Sequence, residues 1–373
     1  MRPDMYPDFI DACNSVAELA GLREGEKVCI MADQAVEPEV IYAIFATARL
    51  RRAQPYLCMV EDFIEWQVPE IIAEAVGKAD VVFHAWPAAE GKFGKSMRSG
   101  KGARWVSFGA CRNIENFCSE ATRFPAPLLS RIVTATWEII DHGQAEANIR
   151  ITDPKGTDLS LRLSRQELDK LHSDRRWRGK LLADEPGTRA HLPSPHGPNL
   201  YHEGQGMINE TLNGVVRYDS IVGFSGVYNG TFGDSNFVEP VSVFVRNSKV
   251  TKVEGGWESK VLAELTKDGG HLAEIGLGFN PKAASYGGRA TGMAGPSRSG
   301  ALHIATGGDG GEHMDGCLFR ATVVVDGRPI IDNGHIVALD HPDVRELAEK
   351  YRTRHEGGWL WSATEHRELQ HYR

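Results

Sequence analysis

Apolar and polar positions along the first 125 residues alternate between two periods. Residues 9–20 carry apolar side chains at helical spacing (Phe9, Ile10, Cys13, Val16, Leu19), and Gly21 and Gly25 then break the pattern. Lys27 to Met31 is a short apolar run, Pro38 to Arg51 is helical with proline in its first turn, and Pro55 to Val60 is apolar again. Pro69 to Val76 reads as a helix, Asp80 to Phe83 and Arg104 to Phe108 as strands. Continuous apolar strands separated by helices predict a parallel sheet covered on both faces. This stretch is therefore expected to be an open α/β domain. It has no GxGxxG after its first strand, so dinucleotide binding is not expected of it.

A helix over Pro125 to Ile140 leads into a region of different rhythm. Strands are expected over 147–152, 158–163, 215–218, 241–246, 249–254, 272–278, 301–305 and 321–325, followed by a short strand from Pro329 to Ile331. Asn247-Ser248 and Asp326-Gly327 are the turn residues of two hairpins. Helices are expected over Trp257 to Leu265 and Asp343 to Tyr351. The fold class is thus α/β: an N-terminal open parallel α/β domain (1–140), a C-terminal β-rich α+β domain (141–353), in which the candidate metal ligands described below all lie, and a polar tail (354–373). The tail holds Trp359 and Trp361 and is read either as disordered or as packed on a partner subunit in a homo-oligomer.

Composition narrows the function. Of the 373 residues 41% are hydrophobic and 25% charged, which is ordinary for a soluble globular chain. No apolar run is long enough to span a membrane, and the first residues lack a signal peptide's apolar core. A net charge of −8 with no long basic run argues against a nucleic-acid partner. Six scattered cysteines without a CxxC pair fit free thiols in a reducing cytoplasm. Glycine is uneven, with 27 of its 40 copies after residue 200, and eight of the 14 histidines lie between His191 and His341. Glycine and histidine enriched together point to tight loops around a metal or acid–base site.

His313-Met314-Asp315 is the strongest chemical signal. Two ligand types at i and i+2 on an extended segment project to one side. Imidazole and carboxylate together suit Fe(II), Zn, Mn or Co. His303 stands ten residues earlier in a strand, and the glycine-rich link to Glu312 can fold one strand end beside the next. Glu274 lies within the apolar run Leu272 to Gly278, where a charge is costly unless it is paired or ligating; the alternative is an edge strand with Glu274 in solvent. His271, three residues before Glu274, is expected to face away from it, and Glu312 away from His313. His84 ends a parallel strand, where it is either a core-edge residue or near a ligand. His196 and His202 flank a Gly- and Pro-rich stretch, Pro193 to Gly206, read as an active-site loop, and both are candidate substrate contacts.

These segments follow one motif order: Ala-Glu-Ile-Gly-Leu-Gly-Phe-Asn-Pro-Lys-Ala around Glu274, Leu-His-Ile-Ala-Thr-Gly around His303, then His-Met-Asp-Gly at 313–316 and Val-Val-Asp-Gly-Arg at 324–328. In that order the chain resembles the metal-binding half of the aminopeptidase T family and its relatives, among them the 2,5-dihydroxypyridine 5,6-dioxygenases, ring-opening Fe(II) enzymes. The resemblance implies a metal held by Glu274, His303, His313 and Asp315. His191-Leu192-Pro193-Ser194 looks like the dioxygenases' His-x-Pro-Ser segment, which implies an acid–base role for His191, and Asn209-Glu210 looks like an acidic position near their site. Two departures speak against the two-metal peptidases. The position of one of their glutamates holds Arg298, and that of their catalytic tyrosine holds Gly310. One departure speaks against the dioxygenases, which have a histidine where this chain has Glu274 and an apolar residue where it has His303.

The expected function is accordingly a mononuclear non-haem Fe(II) dioxygenase that opens a hydroxylated aromatic or N-heterocyclic ring with O2. The alternative is a hydrolase using Zn, Mn or Co, either an aminopeptidase or an amide hydrolase. Phe279, Met293 and Phe319 are candidate apolar walls for a flat substrate, and the metal site is expected to face the α/β domain across a cleft.

Overall fold

The computed structural model describes residues 6–60, 70–85, 102–109, 111–192, 197–202, 209–222, 235–283, 298–307 and 313–351. They fall into two compact units: one within Met1–Ala126 and Leu181–His196, the other within Pro127–Lys180 and Gly197–Arg373.

The first unit alternates helix and strand in the order α1 (Tyr6–Leu19), β1 (Lys27–Asp33), α2 (Pro38–Leu50), β2 (Gln54–Val60), α3 (Glu70–Val76), β3 (Val81–His84), β4 (Arg104–Ser107) and α4 (Ile114–Phe117). Pro38 opens α2, where its missing N–H costs nothing. The strands form a five-stranded parallel sheet in the order β2-β1-β3-β4-β7. Its last strand, β7 (Arg189–His191), comes from much later in the chain. Both faces are covered. Val28, Ile30, Phe83 and Val106 pack with Val16, Val40 and Ile44 on one side. Cys29, Met31, Val82 and Trp105 pack with Ile72 and Val76 on the other. This two-sided burial is why β1 and β3 read as continuous apolar runs.

At the carboxyl ends of these strands Arg112 acts as a clasp. Its Nη1 donates to both oxygens of the buried Asp33 at 2.8 Å, its Nη2 to the Ala85 carbonyl at 2.7 Å and its Nε to the Gly109 carbonyl at 3.1 Å. One guanidinium therefore ties together the ends of β1, β3 and β4, in the fork geometry that suits arginine.

The second unit begins with α5 (Ala126–Ile140), β5 (Glu146–Thr152), β6 (Asp158–Ser164) and α6 (Arg165–Ser173). Ser164 and Glu167 form a capping box at the start of α6, a helix the hydrophobic pattern did not predict. After a 3-10 turn at Arg175–Arg178 come β8 (Asn199–His202), β9 (Asn213–Val222), β10 (Ser235–Arg246), β11 (Lys249–Glu254), α7 (Trp257–Thr266), β12 (His271–Leu277), β13 (Leu302–Gly307), β14 (His313–Leu318), β15 (Thr322–Val325), β16 (Arg328–Asp332), β17 (His335–Ile336) and α8 (Pro342–Lys350). Positive φ angles at Asn247, Ser248, Asp326 and Gly327 make the two expected hairpin turns. Twelve strands join in one antiparallel sheet. Within it β9, β10, β11, β12, β13 and β14 close on themselves, because β14 pairs with β9 and β9 with β10. The inside of this circuit is apolar, with Val216, Val241, Val243, Leu272, Ile275 and Ile304 all buried. Tyr218 is buried there too. Its hydroxyl donates to the Ile304 carbonyl at 3.0 Å and lies 2.8 Å from Thr306 Oγ1, and burial pushes its phenol upward.

Among the described residues no helix is long and apolar enough to cross a membrane.

Candidate active site

The candidate donors of β12, β13 and β14 lie on the face opposite Tyr218. In antiparallel pairs, residues directly opposite each other share a face. Register pairs Glu274 with Ala305, Gly276 with His303, Ala305 with Asp315, Gly307 with His313 and His303 with Cys317. Three small residues, Gly276, Ala305 and Gly307, thus form a floor, and Glu274, His303, Asp315, Cys317 and the His313 position surround it.

Glu274 reaches this face through a β-bulge. Register slips between Leu272 and Glu274, so Ala273 is an extra residue. Leu272 pairs with Thr306 on the apolar side, and regular pleating would send Glu274 there as well. The bulge turns it to the opposite face instead. The same slip overturns the expectation for His271, which pairs with Gly307 and so shares the face of Glu274. Strict period-two reasoning cannot see a bulge.

The side chains then meet. His303 Nε2 lies 2.9 Å from Glu274 Oε1, and both groups are nearly buried. The imidazole lies against the backbone of Gly276, where an added Cβ would come within 1.9 Å of its Cε1. Burial by itself lowers the His303 pKa. The hydrogen bond and charge of Glu274, with the charge of Asp315 behind them, outweigh it and hold the imidazole above its ordinary value. Asp315 is itself buried.

His202 also reaches Glu274. It pairs with Glu274 across β8 and β12, and its Nε2 lies 3.5 Å from Glu274 Oε2. The stretch read as an active-site loop therefore contains a strand, and its second histidine joins the carboxylate. The signal in the sequence was Asn199-Leu200-Tyr201-His202, a short run too brief to stand out beside so many glycines and prolines.

The other candidates stand on other elements. His191 is half-buried at the end of β7 in the first unit, and register puts His84, Ser107 and His191 side by side on β3, β4 and β7. His84 is fully buried, edge-on to Trp105. Glu210 is exposed in the turn before β9. Phe279 is buried edge-on to Trp177, and Phe319 is half-buried just after β14. His196, Met293, Gly310, Glu312 and the 354–373 tail lie outside the described residues, as does the side chain of His313.

The donor set can be tested against a metal. Two ligands about 2.1 Å from one ion and at right angles are roughly 3 Å apart, and the Glu274–His303 contact of 2.9 Å meets that spacing. Two carboxylates and imidazole suit a divalent first-row ion. Among the described residues no three His, Cys, Asp or Glu side chains stand close enough to hold an ion together. The described donors fit a metal centre as a converging pair, with Asp315 across the small-residue floor.

The model of the NicX family, 2,5-dihydroxypyridine 5,6-dioxygenase, matches residues 121–338, more than half of the chain. The chain belongs to this family. It is thus a member of a dioxygenase family, and the match covers the whole face just described. The fold is similar to that of the 2,5-dihydroxypyridine dioxygenase of Pseudomonas putida KT2440, with a TM-score of 0.62 and 17% identity over 89% of this chain and 97% of that one. It is also similar to AmpT from Thermus thermophilus, with a TM-score of 0.54 and 14% identity over 89% of this chain and 100% of the other. At these identities the two structures speak for the fold. No curated protein matches the chain in sequence. Both relatives carry the mixed α/β architecture expected of this chain, and the motif-based resemblance and the NicX match agree on the branch.

Proposed function

We propose that this NicX-family chain is an Fe(II)-dependent ring-opening dioxygenase acting on a hydroxylated aromatic or N-heterocyclic compound such as a dihydroxypyridine. The observation that carries the reading is the Glu274–His303 pair at 2.9 Å on the face that also bears Asp315 and the His313 position, inside the family match. Glu274, His303, His313 and Asp315 would hold the metal. When bound, Fe(II) supplies the redox chemistry that O2 needs to react with a closed-shell ring. His191 takes the proton from the substrate hydroxyl, a general-base task suited to an imidazole. Glu210 holds a polar group of the ring or orients that histidine.

A second reading has one specific observation in its favour. A carboxylate at 274 paired with a histidine at 303 is the donor pattern of the aminopeptidase T relatives, so a metal-dependent hydrolase is the competitor. There Zn, Mn or Co would acidify a bound water, and Glu274 would serve as ligand or base. Arg298, a cation that cannot ligate, stands half-buried in an isolated bridge to Asn280.

The test is anaerobic purification with metal analysis, then O2 uptake on hydroxypyridines and dihydroxybenzenes. Iron-dependent, stoichiometric O2 consumption is expected. Turnover supported by zinc alone, with no O2 consumed, would replace the dioxygenase with the hydrolase.

A further inference from the structure

Glu274 has a histidine beside each of its oxygens. His303 faces Oε1 at 2.9 Å, and His202 faces Oε2 at 3.5 Å. The two histidines come from strands on opposite sides of β12: His303 from β13 and His202 from β8. The β8 strand is anchored independently of Glu274. Trp177 Nε1 donates to the Asn199 carbonyl at 3.3 Å, and Trp177 is fully buried. Arg176 Nη1 donates to the Gly197 carbonyl at 3.0 Å, while its Nε and Nη2 grip Asp174. The 3-10 turn at 175–178 therefore sets where β8 begins, and register carries that setting to His202.

From this geometry we propose that His202 is a positioning residue: it holds the outer oxygen of Glu274 so that the inner oxygen is presented beside His303 as a fixed monodentate donor, a role that rests on the four-ligand metal site proposed above. A ligating carboxylate usually has its second oxygen hydrogen-bonded, which fixes its rotamer and stops it swinging to a bidentate mode; losing such a partner costs 10- to 100-fold in metal affinity. His202 is the more exposed of the two histidines, at 32% against 5% for His303. It stands on the outer side of the carboxylate, away from the small-residue floor that Gly276, Ala305 and Gly307 form beside His303. That position suits a supporting group better than a fifth ligand.

The experiment is anaerobic titration of Fe(II) into the metal-free full-length protein against a chromophoric chelator. His202→Ala, His202→Gln and Glu274→Gln are compared with the wild type, and far-UV circular dichroism and thermal unfolding are run on each. A glutamine side-chain amide can place an N–H close to the position of the imidazole Nε2 and donate a hydrogen bond to Glu274 Oε2. The expected result is Fe(II) affinity about 10- to 100-fold weaker in His202→Ala, recovery to within a few-fold in His202→Gln, and little change in substrate KM once iron is saturating. Unchanged Fe(II) affinity in His202→Ala with a raised KM overturns the proposal and returns His202 to the substrate. Equal losses of affinity in the alanine and glutamine variants, tracked by equal losses of thermal stability, overturn it too, since they reflect packing. The Glu274→Gln arm separates this failure from that of the metal site. If Glu274→Gln loses iron and His202→Ala does not, only the positioning role falls. If Glu274→Gln keeps full affinity, the four-ligand site falls and takes the positioning role with it.

Discussion

Each of the two sheets carries a largely buried acid against a base, and the two pairs differ in the base and in what surrounds them. In the parallel sheet Asp33 meets Arg112, and the guanidinium also takes the carbonyls of Ala85 and Gly109. Arginine keeps its charge at every physiological pH, and its planar fork is spent on three strand ends. In the antiparallel sheet Glu274 meets His303, a base that can gain or lose its charge, which Glu274 holds above its ordinary pKa against the effect of burial, and whose nitrogens can bind a metal. The first pair lies where side chains and carbonyls close in on it. The second lies beside a floor of Gly276, Ala305 and Gly307, with the imidazole packed against the Gly276 backbone. A buried ion pair therefore marks no function by itself. The titratability of the base and the size of the residues around it separate the clasp from the proposed metal site.

The comparison breaks most sharply if the reactive pair turns out to be structural. His313→Ala and Asp315→Ala are expected to lower metal affinity by more than about 100-fold, beyond what loss of an outer partner costs. Metal content after dialysis and O2 uptake read this directly, and full metal content in either variant would remove that residue from the site. Gly276→Ala comes next. Its Cβ would lie 1.9 Å from His303 Cε1, so the ring must leave its place beside Glu274. Urea unfolding should show a loss of about 1–3 kcal/mol, accompanied by weaker metal binding. The same change in a His303→Ala background should cost far less, because the ring it strikes is gone. Equal costs in both backgrounds would mean that Gly276 matters for its backbone alone.

The clasp makes the opposite prediction. Arg112→Met leaves Asp33 buried without its guanidinium. Breaking a fully buried pair costs about 3–5 kcal/mol; Arg112 is partly exposed, so about 2 kcal/mol is expected in urea unfolding. Turnover per folded molecule should stay at the wild-type level. A selective loss of turnover without a shift in midpoint would make the clasp part of the reaction.

Much of the fold was legible because its signals are local. Continuous apolar strands gave away the parallel sheet, and Asn247-Ser248 and Asp326-Gly327 marked their hairpins. What stayed hidden depends on distant partners. β7 is three residues long and is a strand only because Trp105, Val106 and Ser107 offer it an edge. β8 exists through its pairing with β12. At the site, Glu274 and His303 were readable as costly polar residues within apolar strands. Their contact was not, because it depends on one extra residue at Ala273, and a bulge leaves no periodic trace. The link from His202 to Glu274 was hidden for the same reason as β8. Phe279 reads in the sequence as a candidate apolar wall for a flat substrate, and its burial edge-on to Trp177 depends on a 3-10 turn a hundred residues earlier.

The smallest effect concerns a third acid–base contact, which sharpens the comparison by showing what a partly exposed pair contributes. Asp141 receives Arg165 Nη1 at 2.7 Å and Nη2 at 2.6 Å. The hydrogen bond from Arg165 holds the carboxyl below its usual range; burial opposes this, and the Gly143 N–H and the positive charge of Arg165 add to it. A carboxyl whose folded pKa lies below its unfolded value of about 3.9 stabilises the fold above that value, and the contribution is lost as pH falls through the folded pKa. Asp141→Asn should therefore cost about 1 kcal/mol at pH 7, since Arg165 is itself about a third exposed. The gap between variant and wild type should narrow below about pH 4 and close once the wild-type carboxyl is protonated. Urea midpoints measured from neutral pH down to the acid limb test this. A gap that stays constant across that range would mean that Asp141 acts through its shape and neutral hydrogen bonds, and the contact would then belong with neither the clasp nor the reactive pair.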